Sequence, residues 1–347
     1  MSFISSNNNS GFLGVDIGFS GIKIVELQRE GDIAKLVSYG FSESKAVDGK
    51  NSWKNDNKRA GKIINEICKR SGMISRNAVV SLPTFSVFSS VLNLPNVANK
   101  DFSSAVHWEA KKVIPLPLEE MIIDYQKIED ESDAKNTKIF LTGAPRGLVK
   151  KYIEIFKEAQ INLLALETET FSLVRSLLGN DKSVVMIAEI GASTTDISVI
   201  NKGIPMISRS VDIGGLTITK AIGNNLNIGL ERAEQFKHDL GISLSDGEQG
   251  VIPKTIMEAI SPIINEIKYT LNLFESKNNI QIEKIILSGG SSLLINFPGY
   301  LSKILDKKVI IGNPWARVSY PVNLKPALDE VGPRMAAAIG LAIREIE

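Results

Sequence analysis

One short pattern occurs twice in this chain at a fixed offset. VDIGFSGIKIVEL (15–27) and AEIGASTTDISVI (188–200) share an acid, Ile, Gly, Ser and a later Ile in register. An internal repeat at matched spacing restricts the fold more than any composition can, because it calls for two related halves.

Each copy reads as an apolar strand, a tight turn and a second strand: Phe12 to Ile17 then Ser20 to Leu27, and Val184 to Ile190 then Thr194 to Ile200. Gly and small polar residues sit at the turns, where outward-pointing N–H groups can cradle an anion. Two such hairpins can close on one phosphate chain from opposite sides. Asp16 and Glu189, ending the first strands, would then face the phosphates. Carboxylates there are costly unless a cation intervenes, and magnesium held largely through its waters is the expected one.

A third signal is IILSGGSSLLINFPGYLSKIL (285–305), an apolar strand, a Gly289-Gly290-Ser291 turn and an amphipathic helix. A diglycine at such a turn removes the Cβ atoms that would keep a planar ring from lying against the backbone. The order hairpin, hairpin, GG turn resembles the actin, heat-shock ATPase and sugar kinase superfamily, whose phosphate 1, phosphate 2 and adenosine motifs it matches. That resemblance gives phosphate roles to Asp16, Gly18, Ser20 and Lys23, and to the run from Glu189 to Asp196 that includes Gly191, Ser193, Thr194 and Thr195. It gives nucleoside roles to Gly289, Gly290 and Ser291.

The chain has 347 residues, enough for two domains with sizeable cores, and its 43% hydrophobic content suits a soluble globular protein. A net charge of +1 offers no electrostatic case for nucleic acid or for an anionic membrane. The single cysteine, Cys68, shares an apolar helical pattern with Ile63, Ile64 and Ile67 and reads as a buried thiol. The opening MSFISSNNNSG has neither a basic nor an apolar leader region, and no stretch reaches about 18 apolar residues. A cytoplasmic protein is expected, with any membrane association through a partner.

Along the chain, a polar tail (2–10) precedes strands at 12–17, 20–28 and 33–41, a polar loop (43–57) and a helix near 57–71. Residues 84–159 differ in character. SVFSSVLNLP reads as a strand, and DFSSAVHWEAKKVI as a helix with Phe102, Ala105, Val106, Ala110 and Val113 on one face and Asp101 placed to cap it. Two strands (121–128, 138–144) around the charged loop EDESDAKN, and the helix LVKKYIEIFKEA, complete what reads as an insertion. The expected division is a first half of 11–83, 160–182 and 330–347, an inserted subdomain of 84–159, and a second half of 183–329.

In the second half, VDIGGLTITKAIGNNL runs through Gly214-Gly215 into a helix. Glu234 and Lys237 then lie one helical turn apart, either as a solvated ion pair or as ribose or adenine contacts. A long helix follows through Ile256 to Phe274, with Pro262 expected to kink or restart it.

Over residues 11–347 the chain resembles the PilM family of type IV pilus assembly proteins, actin-like relatives of the cell-division protein FtsA. The resemblance is carried by VDIGFSGIKIVEL, VHWEAKKVIPLPLEEMIIDYQ, IGASTTDISVI, IGGLTITKAIGNNLNIGLERAEQFK, the GGSSLL turn with Phe297-Pro298-Gly299, Asn313-Pro314-Trp315, and AAAIGLAIREI. WEAKKVIPLPLEE discriminates best, since sugar kinases and heat-shock ATPases have nothing similar.

The resemblance implies an α/β, actin-like duplicated ribonuclease-H-type fold of two domains around a nucleotide cleft, with the small FtsA/PilM-type subdomain inserted. It implies ATP or ADP with Mg held by Asp16 and Glu189. It also implies a groove for the cytoplasmic N-terminal peptide of PilN, placing the protein at the inner membrane beside other platform and motor proteins of the pilus or a related type II secretion machine. An extended peptide docking there would rely on a few apolar anchors.

The family usually has Asp where this chain has Glu189. The extra methylene moves the carboxylate toward metal and phosphate, so slow hydrolysis at most is expected, with Glu189 and Asp16 the catalytic candidates. Glu167 and Glu169 stand where the superfamily places a residue that orients water, or they are favourable first-turn acids. Two other readings compete: a small-molecule kinase, for which His107 and His238 read as solvated and Asp196 is the candidate base, and an FtsA-like self-associating polymer, whose terminal membrane helix this sequence lacks beyond GLAIREIE.

Overall fold

A computed structural model describes residues 11–42, 56–95, 97, 99–128, 136–242 and 251–346. The expected polar tail, most of the 43–57 loop and nearly all of EDESDAKN lie outside the described residues.

The repeat extends well beyond the hairpins. In the first sheet, β1 (Gly11–Ile17), β2 (Ile22–Glu30) and β3 (Ile33–Phe41) form an antiparallel meander, and β4 (Asn77–Leu82) and β8 (Asn162–Thr168) add in parallel on the other side of β1, giving the order β3-β2-β1-β4-β8. In the second sheet, β9 (Val185–Ile190), β10 (Thr195–Asn201), β11 (Ile204–Val211), β12 (Lys284–Ser288) and β13 (Lys308–Ile311) repeat that plan as β11-β10-β9-β12-β13. The central strands β1 and β9 are buried along most of their length, which is why both read as near-continuous apolar runs. The inserted unit is a separate sheet, β5 (Phe88–Pro95), β7 (Asn136–Pro145) and β6 (Met121–Ile128) in that order, covered by α2 (Asn99–Val113).

In the first half, α1 (Asn57–Arg70) starts where the Asp56 side chain accepts from the Arg59 N–H at 3.0 Å. It buries Ile64, Ile67 and Cys68 against α3 (Arg146–Glu158) and the sheet, so α3, expected within the insertion 84–159, packs through Tyr152, Ile155 and Phe156 into the first-half core instead. Burial pushes the Cys68 thiol up to about 11, so it is packing rather than chemistry. The second-half core gathers Ile218, Ile222, Ile256, Ile260, Ile263, Ile267 and Phe274 under the sheet, from α5 (Gly215–Leu226) and α7 (Val251–Asn278). Two shorter helices flank it: α6 (Leu230–Leu240) and α8 (Phe297–Leu305).

Several expectations are corrected. Helix α7 runs through Pro262 without a restart: proline cannot donate to the Glu258 carbonyl one turn back, and the Ser261 hydroxyl does so instead at 2.9 Å. Helix α2 begins at Asn99, leaving Asp101 inside its first turn, and ends on the exposed Val113, with the buried residue being Ile114 just beyond it. The GG turn leads first into a short 3₁₀ turn, Gly290–Leu293, with α8 starting at Phe297.

The boundary at 329/330 falls inside α9 (Lys325–Ile343), and β14 (Val318–Ser319) joins the outer edge of the first sheet beside β3. Trp315 explains this. It is buried with Val25, Leu27 and Ala338, and its indole N–H donates to the Leu328 carbonyl at 2.8 Å, so this segment packs with the first half.

Helix α9 ties the halves together. A Cβ on Gly14 of β1 would come within 1.9 Å of the Ala338 carbonyl, and one on Gly340 within 1.8 Å of the Ser172 carbonyl in α4 (Glu169–Leu177). Only glycine permits this approach of helix to strand and helix to helix. At its other side the Pro333 carbonyl of α9 accepts from the Gly289 N–H at 2.9 Å and the Ser288 hydroxyl at 3.1 Å.

Candidate nucleotide cleft

The two hairpin turns are built alike. Gly18 N–H donates to the Gly21 carbonyl at 3.0 Å, and Gly191 N–H to the Thr194 carbonyl at 2.9 Å. Both turns line one cleft between the halves, with Asp16, Gly18, Ser20 and Lys23 on one wall and Glu189, Gly191, Ser193, Thr194 and Asp196 on the other. Asp16 and Lys23 are paired across β1 and β2, and the Lys23 Nζ lies 2.5 Å from Asp16 Oδ2. Burial opposes the lysine's charge, but the adjoining carboxylate outweighs it and the ammonium holds its proton more tightly than usual.

The opposite wall is acidic. One carboxylate oxygen from each of Glu169, Glu189 and Asp196 lies within 4.8 Å of the others. Burial raises Glu189 to about 7 and Asp196 to about 6, and burial with repulsion from Glu189 raises Glu169 well above the ordinary range. Glu189 Oε2 and Asp196 Oδ1 are buried without a hydrogen-bond partner. Three crowded carboxylates, two of them with an unsatisfied oxygen, are a donor set that fits a hard divalent cation. Asp16 stands outside this trio, its Oδ2 engaged by Lys23, while Glu189, the other acid expected at the metal, lies within it beside Glu169 and Asp196.

Glu167 is not in the cleft. It lies in β8, one residue before the strand's end, in an ion pair with Arg175 at 2.8 and 3.1 Å, and 3.3 Å from Arg344. Glu169 is the first residue of α4, and the Thr170 and Ser198 hydroxyls, 3.4 Å apart, join that helix end to β10. Of the two acids the sequence left open, only Glu169 reaches the other carboxylates.

Gly214, Gly215, Glu234, Lys237 and Ser291 form a second cluster beside the first. Gly215 N–H donates to the Gly191 carbonyl at 2.9 Å, and a Cβ on Gly215 would lie 2.4 Å from the Ser291 hydroxyl and 3.4 Å from Lys237 Nζ. A Cβ on Gly214 would meet the Gly191 carbonyl at 2.6 Å. Lys237 is buried, with Nζ 2.6 Å from Glu234 Oε1, 3.1 Å from the Thr219 hydroxyl and 3.3 Å from the Gly215 carbonyl, so the expected ion pair forms with its lysine out of solvent and its Glu234 end exposed. Burial works against the Glu234 charge, yet donors from His238, Lys237 and Thr219 hold it down to about 2.

Gly289 and Gly290 cross the end of β9: Gly289 has φ of +79°, and a Cβ there would lie 2.5 Å from the Ile190 carbonyl. Thr195 turns away from the cleft, its hydroxyl donating to the Ile213 carbonyl at 2.7 Å.

Sequence reasoning missed Ser81, Pro83, Phe85 and Phe19, which also line the cleft. The signal was available for the first three: β4 runs parallel beside β1, so its carboxyl end must open at the same crevice.

Two half-folds of matching strand order facing one another across such a cleft define an actin-like fold. A search of solved structures agrees: the chain matches a protein of a PilM–PilN type IV pilus biogenesis complex with a TM-score of 0.84 at 24% identity, over 96% of this chain and 98% of that one. It also matches MreB5 of Spiroplasma citri bound to AMPPNP, with a TM-score of 0.53 at 15% identity, over 95% and 94%. The family model for type IV pilus assembly protein PilM matches residues 14–346, and the chain belongs to that family.

Among curated relatives it is similar to the cell division protein FtsA of Rhizobium meliloti (strain 1021), 28% identical over 177 residues, and to FtsA of Bacillus subtilis (strain 168), 21% identical over 89% of this chain and 80% of that protein. The Rhizobium match covers 45% of this chain and 39% of that protein, so the aligned part spans about two fifths of that relative. Among the described residues no helix is long and apolar enough to cross a membrane.

Proposed function

We propose that this chain binds ATP or ADP with Mg²⁺ in the cleft and serves the type IV pilus assembly machine as a nucleotide-dependent adaptor. Its partner is the cytoplasmic N-terminal peptide of PilN, which holds it at the inner membrane from the cytoplasmic side. The observation that carries the nucleotide part is the matched pair of turns, Gly18–Gly21 and Gly191–Thr194, facing one another across buried carboxylates whose oxygens lack partners.

In this reading Lys23 and the turn amides neutralise phosphate, and Glu169, Glu189 and Asp196 hold the cation and its waters. Gly215, Glu234, Lys237, Gly290 and Ser291 receive the nucleoside. The cation supplies charge neutralisation for the phosphates. Family membership and the similarity to a protein solved with PilN support the adaptor role.

The test is titration of a labelled PilN N-terminal peptide from the same genome with ATP–Mg, with ADP–Mg and without nucleotide. Tighter binding with ATP is expected. No peptide binding in any state sinks the adaptor reading, and no retention of nucleotide sinks the cofactor reading. Turnover in the same samples is expected to be slow and to rise several-fold in Glu189→Asp, where the carboxylate is drawn back by about one bond length.

A further inference from the structure

Behind the first hairpin a small pocket continues from the cleft, sharing Ser20 and Lys23 with it and adding Gly21, Phe41, Arg334 and Met335. Arg334 lies on α9 directly after Pro333, whose carbonyl accepts from Gly289 and Ser288. The backbone that carries this arginine is therefore fixed relative to the GG turn. Its stem runs along that turn: a Cβ placed on Gly290 would lie 3.5 Å from Arg334 Cγ and 3.9 Å from Nε. Its guanidinium lies over the Phe41 ring in a cation–π contact, 5.4 Å from the centroid.

Arg334 thus stands between Ser20, under the terminal phosphates, and Gly290, against the nucleoside. A nucleoside polyphosphate laid across these two points passes its α-phosphate there. We propose that Arg334 is a binding residue for the α-phosphate of the nucleotide, oriented by its contact with Phe41, an inference that rests on the nucleotide reading of the cleft. A guanidinium is planar, always charged and able to donate two parallel hydrogen bonds to phosphate oxygens, and the aromatic face holds it in place before the ligand arrives.

The experiment uses the full chain with Mg²⁺ and a fluorescent ATP analogue, displaced in turn by ATP, ADP and adenosine. Arg334→Ala is expected to weaken ATP and ADP by about 10-fold or more while adenosine displaces as in wild type. Arg334→Lys, which keeps the stem and the charge but loses the fork, should recover only part of this. Phe41→Leu should weaken ADP a few-fold with Arg334 intact. Thermal melting of each ligand-free variant separates folding defects from binding.

An ADP affinity unchanged in Arg334→Ala overturns the proposal, and so does an equal loss for adenosine, which would make Arg334 a support for the GG turn. Wild-type protein that binds no nucleotide removes the reading beneath it, an outcome distinct from either.

Discussion

Lys23 and Asp196 occupy the same position in the two copies of one hairpin: Lys23 faces Asp16 across β1 and β2, and Asp196 faces Glu189 across β9 and β10. The duplication kept the backbone register and exchanged a cation for an acid. One wall of the cleft is balanced by its own ion pair, while the other gathers carboxylates that need an outside charge.

Removing one member of the balanced pair should be costly. Lys23→Ala leaves Asp16 buried without its partner and is expected to lower stability by about 3 kcal/mol. The double variant Asp16→Asn, Lys23→Met should regain most of that. Urea unfolding of the single and double variants checks it, and additive losses would contradict the pairing.

The acidic wall predicts an unusual pH dependence. Glu189 titrates near 7 and Asp196 near 6, with Glu169 well above the ordinary range, all first because of burial. In the unfolded chain these groups titrate near 4. Above about 4.5 the native state holds more protons than the unfolded one, so stability falls as pH rises through 6 and 7.

The metal-free melting temperature should therefore drop between pH 5 and pH 8, Glu189→Gln should flatten the drop, and Mg²⁺ should lessen it. Glu234, held at about 2, acts oppositely, but its contribution is lost only below about pH 4.5, outside that range. A melting temperature rising from pH 5 to pH 8 would refute the assignment.

Gly289→Ala should be severe. The side chain would have to adopt φ of +79° with its Cβ 2.5 Å from the Ile190 carbonyl, and a loss of about 2 kcal/mol or more is expected. Gly299→Ala, with nothing within 4 Å of the new atom, is the control and should be neutral or slightly stabilising. Equal melting temperatures for the two would show that the turn can shift.

Two acids separated by one residue should behave differently. Glu167→Gln loses the charge that pairs with Arg175 and Arg344 and should cost about 1–3 kcal/mol without altering nucleotide affinity. Glu169→Gln should weaken the magnesium dependence of binding and raise metal-free stability, since glutamine is neutral there without having to hold a proton against the solvent. Isothermal titration with and without Mg²⁺ distinguishes them.

What could be read from the sequence is what local chemistry writes there. The hairpin turns and the GG turn each depend on a few adjacent residues with fixed backbone needs, so spacing alone exposed them. The choice between Glu167 and Glu169 depends on where a strand ends and a helix begins, and a shift of one residue there moves a side chain to the other face. The burial of Lys237 depends on Thr219 and the Gly215 carbonyl, and the attachment of Trp315 to the first half depends on Leu328 and Val25. Those partners are distant in the chain and leave no local trace. At Pro262 a local breaker was overruled by the preceding serine.

The place of α9 bears on how the protein is made. The second sheet is assembled from one continuous stretch, Val185–Ile311, and all its strands can pair once that stretch has left the ribosome. Most of the first sheet is translated earlier, yet the helix whose Ala338 and Ala342 cover Gly14 follows that whole stretch in the chain. During synthesis, the half that begins first is thus completed only after the second, and the face that α9 covers waits while the second half is made.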